Sequence, residues 1–289
     1  MSINLQPVTV VNDITKAQFL KDFYKPQQPV VIKNLTNSWP AYTKWNFDYI
    51  SKIAGDLTVP LYDDRPVSHK DKFNEAHANM LMRDYISLLQ KGPTNYRIFL
   101  WNLLKKVPEL QEDYSYPDIG LRLLKKMPML FFGGENAFTF MHYDIDLANI
   151  LHFHFQGKKK CILFSPDQTP FLYKIPYSLI TREDIDFDNP DIEKWPALAS
   201  AKGMVAYLEH GDTLYMPEGW WHYMKYVTPG FSMSLRALPA KPKHLAKALN
   251  NILIMRTIDN LIRKVNGKNW IEWKNKRAIV NTERVINKN

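Results

Sequence analysis

Hydrophobic positions along this chain follow three successive patterns. In the first, short apolar runs alternate with likely turns. Residues 15–24 have helical spacing, and Asp13 stands where a carboxylate can accept free backbone N–H groups at a helix start. Residues 29–32 read as a short buried strand, and Trp39 with Pro40 breaks the chain. A helix is predicted over 45–53, a turn at Gly55 and Asp56, and a strand over 57–62. Residues 79–89 have helical spacing up to Gly92 and Pro93, and 96–100 form another strand candidate.

From 129 to 239, runs of Phe, Tyr, Val, Ile and Leu alternate with Gly, Pro and Asp at short intervals. That spacing predicts a β-sandwich or barrel. Its clearest strands are 150–155, 160–164, 213–216, 222–227 and 231–235. A loop over 166–201 interrupts them, and long loops inside β domains commonly carry function. Beyond Pro239, Leu245, Leu249, Ile252, Met255, Ile258, Ile262 and Val265 recur at helical steps until Gly267. A second helix carries Trp270, Ile271, Trp273, Ile279 and Val280. Two such helices cannot bury their apolar faces alone, so they pack on the β region or on another copy. The chain thus divides into an α/β region (1–128), a β core (129–239) and a helical segment (240–289).

The 289 residues are 45% hydrophobic and 23% charged, enough for one large core. The net charge of +9 is concentrated at one end: 12 basic and 3 acidic residues lie between Lys241 and Asn289, and the rest balances. This excludes a uniformly basic protein. A single cysteine, Cys161, excludes a disulfide framework and a multi-cysteine zinc site. No apolar run reaches the ~18 residues that span a bilayer, and the start lacks a signal-peptide pattern. A cytoplasmic protein without membrane contact is expected.

The informative chemistry is His142 and Asp144. Residues i and i+2 of a strand share a face, so this pair can offer an imidazole and a carboxylate to one ion. His222 opens a later strand after the 216–219 turn. Two histidines and one carboxylate leave three coordination positions open, the arrangement of non-haem Fe(II) oxygenases. His152 and His154 form a second same-face pair, which reads as an alternative metal pair, as a substrate or cosubstrate contact, or as hydrogen-bonded core. His210 reads as structural, Cys161 as core, and His69, His77 and His244 have no evident partner.

The ordered company of these residues resembles a known family. His142 and Asp144, Gly157 with Lys159, the run 186–191, Gly211 to Pro217, and Trp220 to His222 are similar to the JmjC/cupin-like Fe(II)- and 2-oxoglutarate-dependent dioxygenases. The likeness is greatest to the factor-inhibiting-HIF type of asparaginyl hydroxylase. Residues 29–32, 39–41 and 254–256 extend it over nearly the whole chain. It implies a mainly β fold with flanking helices. The core is a double-stranded β-helix (jelly roll), followed by a C-terminal helical dimerisation segment.

By the same resemblance His142, Asp144 and His222 are the catalytic Fe(II) ligands. Lys159 pairs with the distal carboxylate of 2-oxoglutarate, and Thr139 contacts the same cosubstrate. Arg236 and His152 stand beside the cosubstrate, while Arg182, Trp221 and His154 are candidate substrate contacts. Dioxygen is the co-reactant, and a homodimer through residues 243–286 is implied. Three departures stand out: Phe99 replaces a tyrosine, Arg236 replaces an asparagine, and the interval from Asp144 to Gly157 is two residues longer. The last shifts Asn149 out of register, so Ile150, His152 and His154 take the inward face. These changes bear on the asparaginyl substrate and on cosubstrate contacts, not on the iron. The reading is a hydroxylase of a protein or peptide side chain. The alternatives are an RNA or small-molecule hydroxylase, with Lys274, Lys276 and Arg277 on the RNA, and a degenerate binding module.

Overall fold

The computed structural model describes residues 3–65 and 76–286, so His69 lies outside the described residues. Its first strands are β1 (Asn4–Pro7), β2 (Thr9–Val11), β3 (Val30–Ile32), β4 (Thr58–Leu61), β5 (Ala78–Leu81) and β6 (Arg97–Trp101). Then come β7 (Met129–Gly133), β8 (Phe138–His142), β9 (Asn149–Gln156), β10 (Lys159–Phe164), β11 (Lys202–Leu208), β12 (Thr213–Met216), β13 (Trp221–Tyr226) and β14 (Gly230–Ala237).

One sheet has the order β1-β11-β10-β13-β8, and the other β2-β3-β12-β9-β14-β7-β6. Strands β7 to β14 therefore contribute four to each sheet and wind between them, which is a double-stranded β-helix. The N-terminal region flanks this core by lengthening both sheets, since β1 pairs with β11, β3 with β12 and β6 with β7. β4 and β5 form a separate hairpin-like pair.

Every position of β9 except the last is buried, because both its faces are covered. Leu151, Phe153 and Phe155 face the N-terminal helices, where the ring of Trp39 lies 4.8 Å from Phe153 and that of Trp45 lies 4.8 Å from Phe155. Each such side chain contributes about 1.5–3 kcal/mol on burial. Ile150, His152 and His154 face the space between the sheets, as the longer interval predicts. Cys161, Leu163, Leu214, Met216 and Met224 line that space too.

The outer face of the five-stranded sheet is covered by the 166–201 segment and the C-terminal helices. That segment is not an open loop. It holds two 3-10 helices, Pro166–Phe171 and Pro196–Ser200, and buries Leu172, Tyr173, Ile185, Phe187 and Trp195. Asn149 points outward, where its amide donates to the buried Glu218 (3.2 Å) and accepts from the Tyr215 hydroxyl (2.8 Å).

Local signals differ from expectation in two places. Thr15, not Asp13, caps the first helix, in a reciprocal capping box with Gln18, and Asp13 instead accepts from Asn34. Residues 78–81 pair with β4 as a strand, and the helix begins only at Met82–Lys91, because cross-strand bonding overrides local spacing. At the C-terminus, a helix over Pro242–Asn250 leads through a π-turn (Asn251–Met255) into Arg256–Ile286, which breaks at Asn266 beside Gly267. Lys274 is 2% exposed and bound to Asp259 (2.6 Å), so it is not on an RNA-facing surface, whereas Lys276 and Arg277 are exposed. Among the described residues no helix is long and apolar enough to cross a membrane.

Candidate metal centre

β8 and β13 run antiparallel with His142 opposite His222. Opposite residues project to the same side, so both imidazoles enter the space between the sheets, with ring centroids 4.1 Å apart. Asp144, just past the end of β8, completes a group whose ligand atoms lie within 4.8 Å of one another. Nδ1 of His142 meets the Phe140 carbonyl oxygen (2.8 Å), and Nδ1 of His222 meets that of Trp220 (3.1 Å). A carbonyl only accepts, so Nδ1 carries the proton in each ring and Nε2 presents its lone pair.

Burial lowers both imidazoles, His222 to about 3, so both are neutral at physiological pH. Burial works against the charge of Asp144, but Arg236 and the two histidines hold it at about 2. Two neutral imidazoles and one carboxylate are the donors that a facial Fe(II) triad needs. Among the described residues this is the only such group of His, Cys, Asp and Glu.

Thr139 reaches the inner face through an irregularity. Its spacing of three from His142 would put it on the opposite side of a regular strand. The register shifts between His222 and Met224, and Thr139 lies opposite Met224. This bulge inserts one residue into β8 and brings Thr139 round to the side of the metal group.

Lys159 begins β10 and is 2% exposed. Its Nζ donates to Nε2 of His152 (3.0 Å) and to Oγ of Ser232 (3.0 Å), and lies 4.1 Å from the centroid of the Tyr226 ring. No carboxylate is among these partners. Burial brings the ammonium down to about 7. Lys159 is four residues along β10 from Leu163, the partner of His222, about 13 Å at the usual rise per residue.

His152 and His154 are both hydrogen-bonded within the inter-sheet space. His152 passes its Nδ1 proton to Ser234 (2.8 Å); His154 donates from Nε2 to the Gly157 carbonyl (2.9 Å) and accepts at Nδ1 from Ser232 (2.8 Å). Both nitrogens of each ring are engaged, and neither ring joins the metal group. Burial and then the Lys159 charge lower both, His154 to about 3. They are neutral groups that orient the ammonium. Ser232, Ser234 and Tyr226 were not singled out from sequence. Their signal is the polar residue at every second position of β14, at Ser232, Ser234 and Arg236.

The neighbouring positions have other tasks. Arg236, expected beside the cosubstrate, donates to Oδ2 of Asp144 and to Asp146 (3.2 Å). Trp221 turns to the face opposite His222, where its Nε1 donates to Thr169 (2.9 Å) and its ring meets Tyr143 (4.7 Å). Arg182 grips Asp184 through two bonds (2.9 and 2.8 Å) and donates to the Asn275 carbonyl (3.1 Å). These last two tie the outer layer together. Phe99 packs edge-on to Tyr62 (4.3 Å). His210 contacts the Phe155 carbonyl oxygen (2.6 Å), His77 pairs with Asp63 (2.8 Å) and His244 with Glu218 (2.7 Å). Lys158 and Lys160 point away from the pocket, to Glu209 and Asp188.

Comparison with known proteins agrees with this geometry. The model of the Cupin-like domain family matches residues 16–237. The tRNA wybutosine-synthesizing protein 5 of Gallus gallus is 30% identical over 264 residues, which covers 81% of this chain and 78% of that protein. Lysine-specific demethylase JMJ30 of Arabidopsis thaliana is 32% identical over 227 residues, 75% of this chain and 51% of that protein. Lysine-specific demethylase 8 of Danio rerio is 30% identical over 232 residues, 75% of this chain and 55% of that protein. The chain thus spans about half the length of these two demethylases. It belongs to the cupin-like JmjC-domain family, whose members are in general Fe(II)- and 2-oxoglutarate-dependent dioxygenases.

Proposed function

We propose that this chain is an Fe(II)- and 2-oxoglutarate-dependent oxygenase that hydroxylates a C–H bond of its substrate. The observation that carries the reading is Lys159, a buried cation without a counter-ion, in the same inter-sheet space as His142, Asp144 and His222. An unpaired charge is costly to bury, and the distal carboxylate of 2-oxoglutarate would complete it. Thr139 adds a hydroxyl on the same face. His142, Asp144 and His222 would hold the iron, and Arg236 keeps Asp144 oriented and anionic. Bound iron supplies the activation of dioxygen and the oxidative decarboxylation of the cosubstrate to succinate and carbon dioxide. The protein's own part is to orient the cosubstrate and to keep water out between two packed sheets. A complete triad together with Lys159 supports this reading over a degenerate binding module.

The reading keeps the reaction and not the asparaginyl substrate. Phe99 carries no hydroxyl, and Arg182, Trp221 and His154 are engaged in internal contacts. Relatives are named both as lysine-specific demethylases and as tRNA wybutosine-synthesizing proteins, so family membership does not choose between a protein side chain and RNA. The test is anaerobic titration with Fe(II) and 2-oxoglutarate, followed by oxygen and measurement of succinate. A visible charge-transfer band and succinate release are expected, both lost in His142→Ala and Asp144→Ala. Unchanged turnover in either variant refutes the assignment.

The C-terminal helices are also proposed to pair two copies through residues 243–286. Leu245, Leu249, Ile252, Leu253, Ile254, Leu261 and Val265 are exposed along these helices. Exposed apolar residues gathered on a terminal helix support such pairing.

A further inference from the structure

A second cavity, of about 320 Å³, lies outside the jelly roll between Tyr143, Lys174, Tyr177 and the helix face of Lys247, Asn250 and Asn251. Of the helical positions that line it, 247, 250, 251, 254, 255 and 258, Ile254 alone is shared with the exposed apolar row. Two lysines line this cavity and no acidic residue does. Among the described residues Lys174 Nζ donates to the Ile175 carbonyl (3.2 Å) alone, and the charged groups acting on it, Lys247 and Lys274, are both cations. Burial and then these two cations bring Lys174 down to about 8. Asp259 neutralises Lys274 (2.6 Å). The uncompensated charges are therefore Lys174 and Lys247, the latter 5.0 Å from the Tyr143 ring. Two ammonium groups facing one cavity without a carboxylate form a site that an oxyanion stabilises.

Aromatic surface adjoins the charge. Tyr177, 42% exposed, lies 5.5 Å from Trp270, which stacks on the half-exposed Trp273 at 4.9 Å and 8°. Point charges for a phosphate beside an accessible aromatic ring for a base are the two elements by which nucleotides are held; here Tyr177 is the ring that lines the cavity. The volume is at the lower end of small-molecule pockets, roughly 300–1,000 Å³.

We propose that this cavity binds a nucleotide, with its phosphate on Lys174 and Lys247 and its base against Tyr177. The nucleotide is either a free nucleoside monophosphate or one unit of a single strand. The site adjoins the metal-binding turn: Tyr143 lies between His142 and Asp144, and Asn251 donates to the Ile145 carbonyl (3.3 Å). Binding here needs neither iron nor cosubstrate, so its failure leaves the oxygenase reading untouched.

The test uses the metal-free full chain with three probes: AMP and inorganic phosphate by calorimetry, and a labelled 12-nucleotide single-stranded RNA by anisotropy. Saturable binding of AMP or RNA is expected. Lys174→Gln and Lys247→Gln should each weaken it about tenfold, and Lys247→Gln, at an exposed position, suffices if Lys174→Gln does not fold. Tyr177→Ala should weaken nucleotide binding severalfold and change phosphate binding less than twofold. The exposed pair Lys276→Gln/Arg277→Gln should change either by less than twofold. RNA bound more tightly than AMP identifies a strand, and the reverse a free nucleotide. No saturable binding, binding of phosphate alone, or equal losses in the Lys276/Arg277 and Lys247 variants overturns the proposal.

Discussion

Arg236 closes on one oxygen of the Asp144 carboxylate, and the other oxygen of Asp144 stands 3.9 Å from Nε2 of His142. The guanidinium thus occupies one lone-pair region of the aspartate and leaves the second for a metal. Asp146 shares the same Arg236, so two part-buried carboxylates depend on one cation.

Removing that cation should destabilise the protein and make its stability metal-dependent. Breaking a fully buried pair costs about 3–5 kcal/mol; these groups are part-buried, which lowers that figure, but the change leaves two carboxylates sharing no cation. Arg236→Leu should lower the melting temperature, and a redox-silent divalent ion should restore more of it than the same ion adds to wild type. Equal metal-induced shifts in thermal melts of the two proteins would contradict this role.

Lys159→Met should trade binding for stability. Methionine keeps most of the chain length and removes a buried charge without a counter-ion, so the variant should gain about 1–4 kcal/mol in denaturant titrations near neutral pH. Because the folded-state value of Lys159 is depressed, the penalty in wild type is present below about pH 7 and vanishes as pH rises toward its ordinary range. The same variant should lose 2-oxoglutarate affinity by at least tenfold. A less stable variant that still binds the cosubstrate would exclude this role.

Cosubstrate binding should take up a proton. Lys159 sits at about 7 without a counter-ion, and a carboxylate raises it again. The groups facing it, His152, His154, Cys161 and Tyr226, stay neutral around pH 8.5, Cys161 being pushed up to about 12 by burial. Above about pH 7, affinity should therefore fall up to tenfold per pH unit. Calorimetry at pH 8.5 in two buffers of different ionisation enthalpy measures the uptake, and a value of zero would count against it.

Gly157 sets the turn from which Lys159 enters the pocket. Its φ is +81°, and a Cβ there would lie 2.3 Å from the Pro229 carbonyl oxygen. Gly157→Ala should cost roughly 1–3 kcal/mol through left-handed strain and that clash. It should also raise the KM for 2-oxoglutarate, because the Gly157 carbonyl anchors His154. A wild-type KM in a folded variant would separate the turn from the site.

The exposed apolar row makes the pairing of two copies measurable. Sedimentation should give twice the 33.9 kDa chain mass. Leu249→Asp with Leu253→Asp should return it to one chain mass without unfolding the core. A wild-type monomer at tens of micromolar would rule the pairing out.

Much of this protein is legible in its order of residues. Alternation over 129–239 calls for a β core, because a strand exposes its faces with a period of two. His142 and Asp144 at i and i+2 announce a shared face, and Lys159, second after Gly157, is marked by the family resemblance. The tertiary structure decided what long-range pairing controls. A bulge between strands distant in sequence, not spacing, carries Thr139 to the inner face. Sequence leaves His152 and His154 as ligands, as substrate or cosubstrate contacts, or as core, and the fold brings Ser232, Ser234 and Lys159 within hydrogen-bond reach of them. Arg236 and Asp144 meet over 92 positions of chain. The basic C-terminal charge is only a composition until folding pairs Lys274 with Asp259 and sets Lys247 beside Lys174 of the 166–201 segment at one cavity. Side-chain type and local period are properties of neighbouring residues, whereas charge compensation and hydrogen-bond saturation depend on which distant groups the fold brings together.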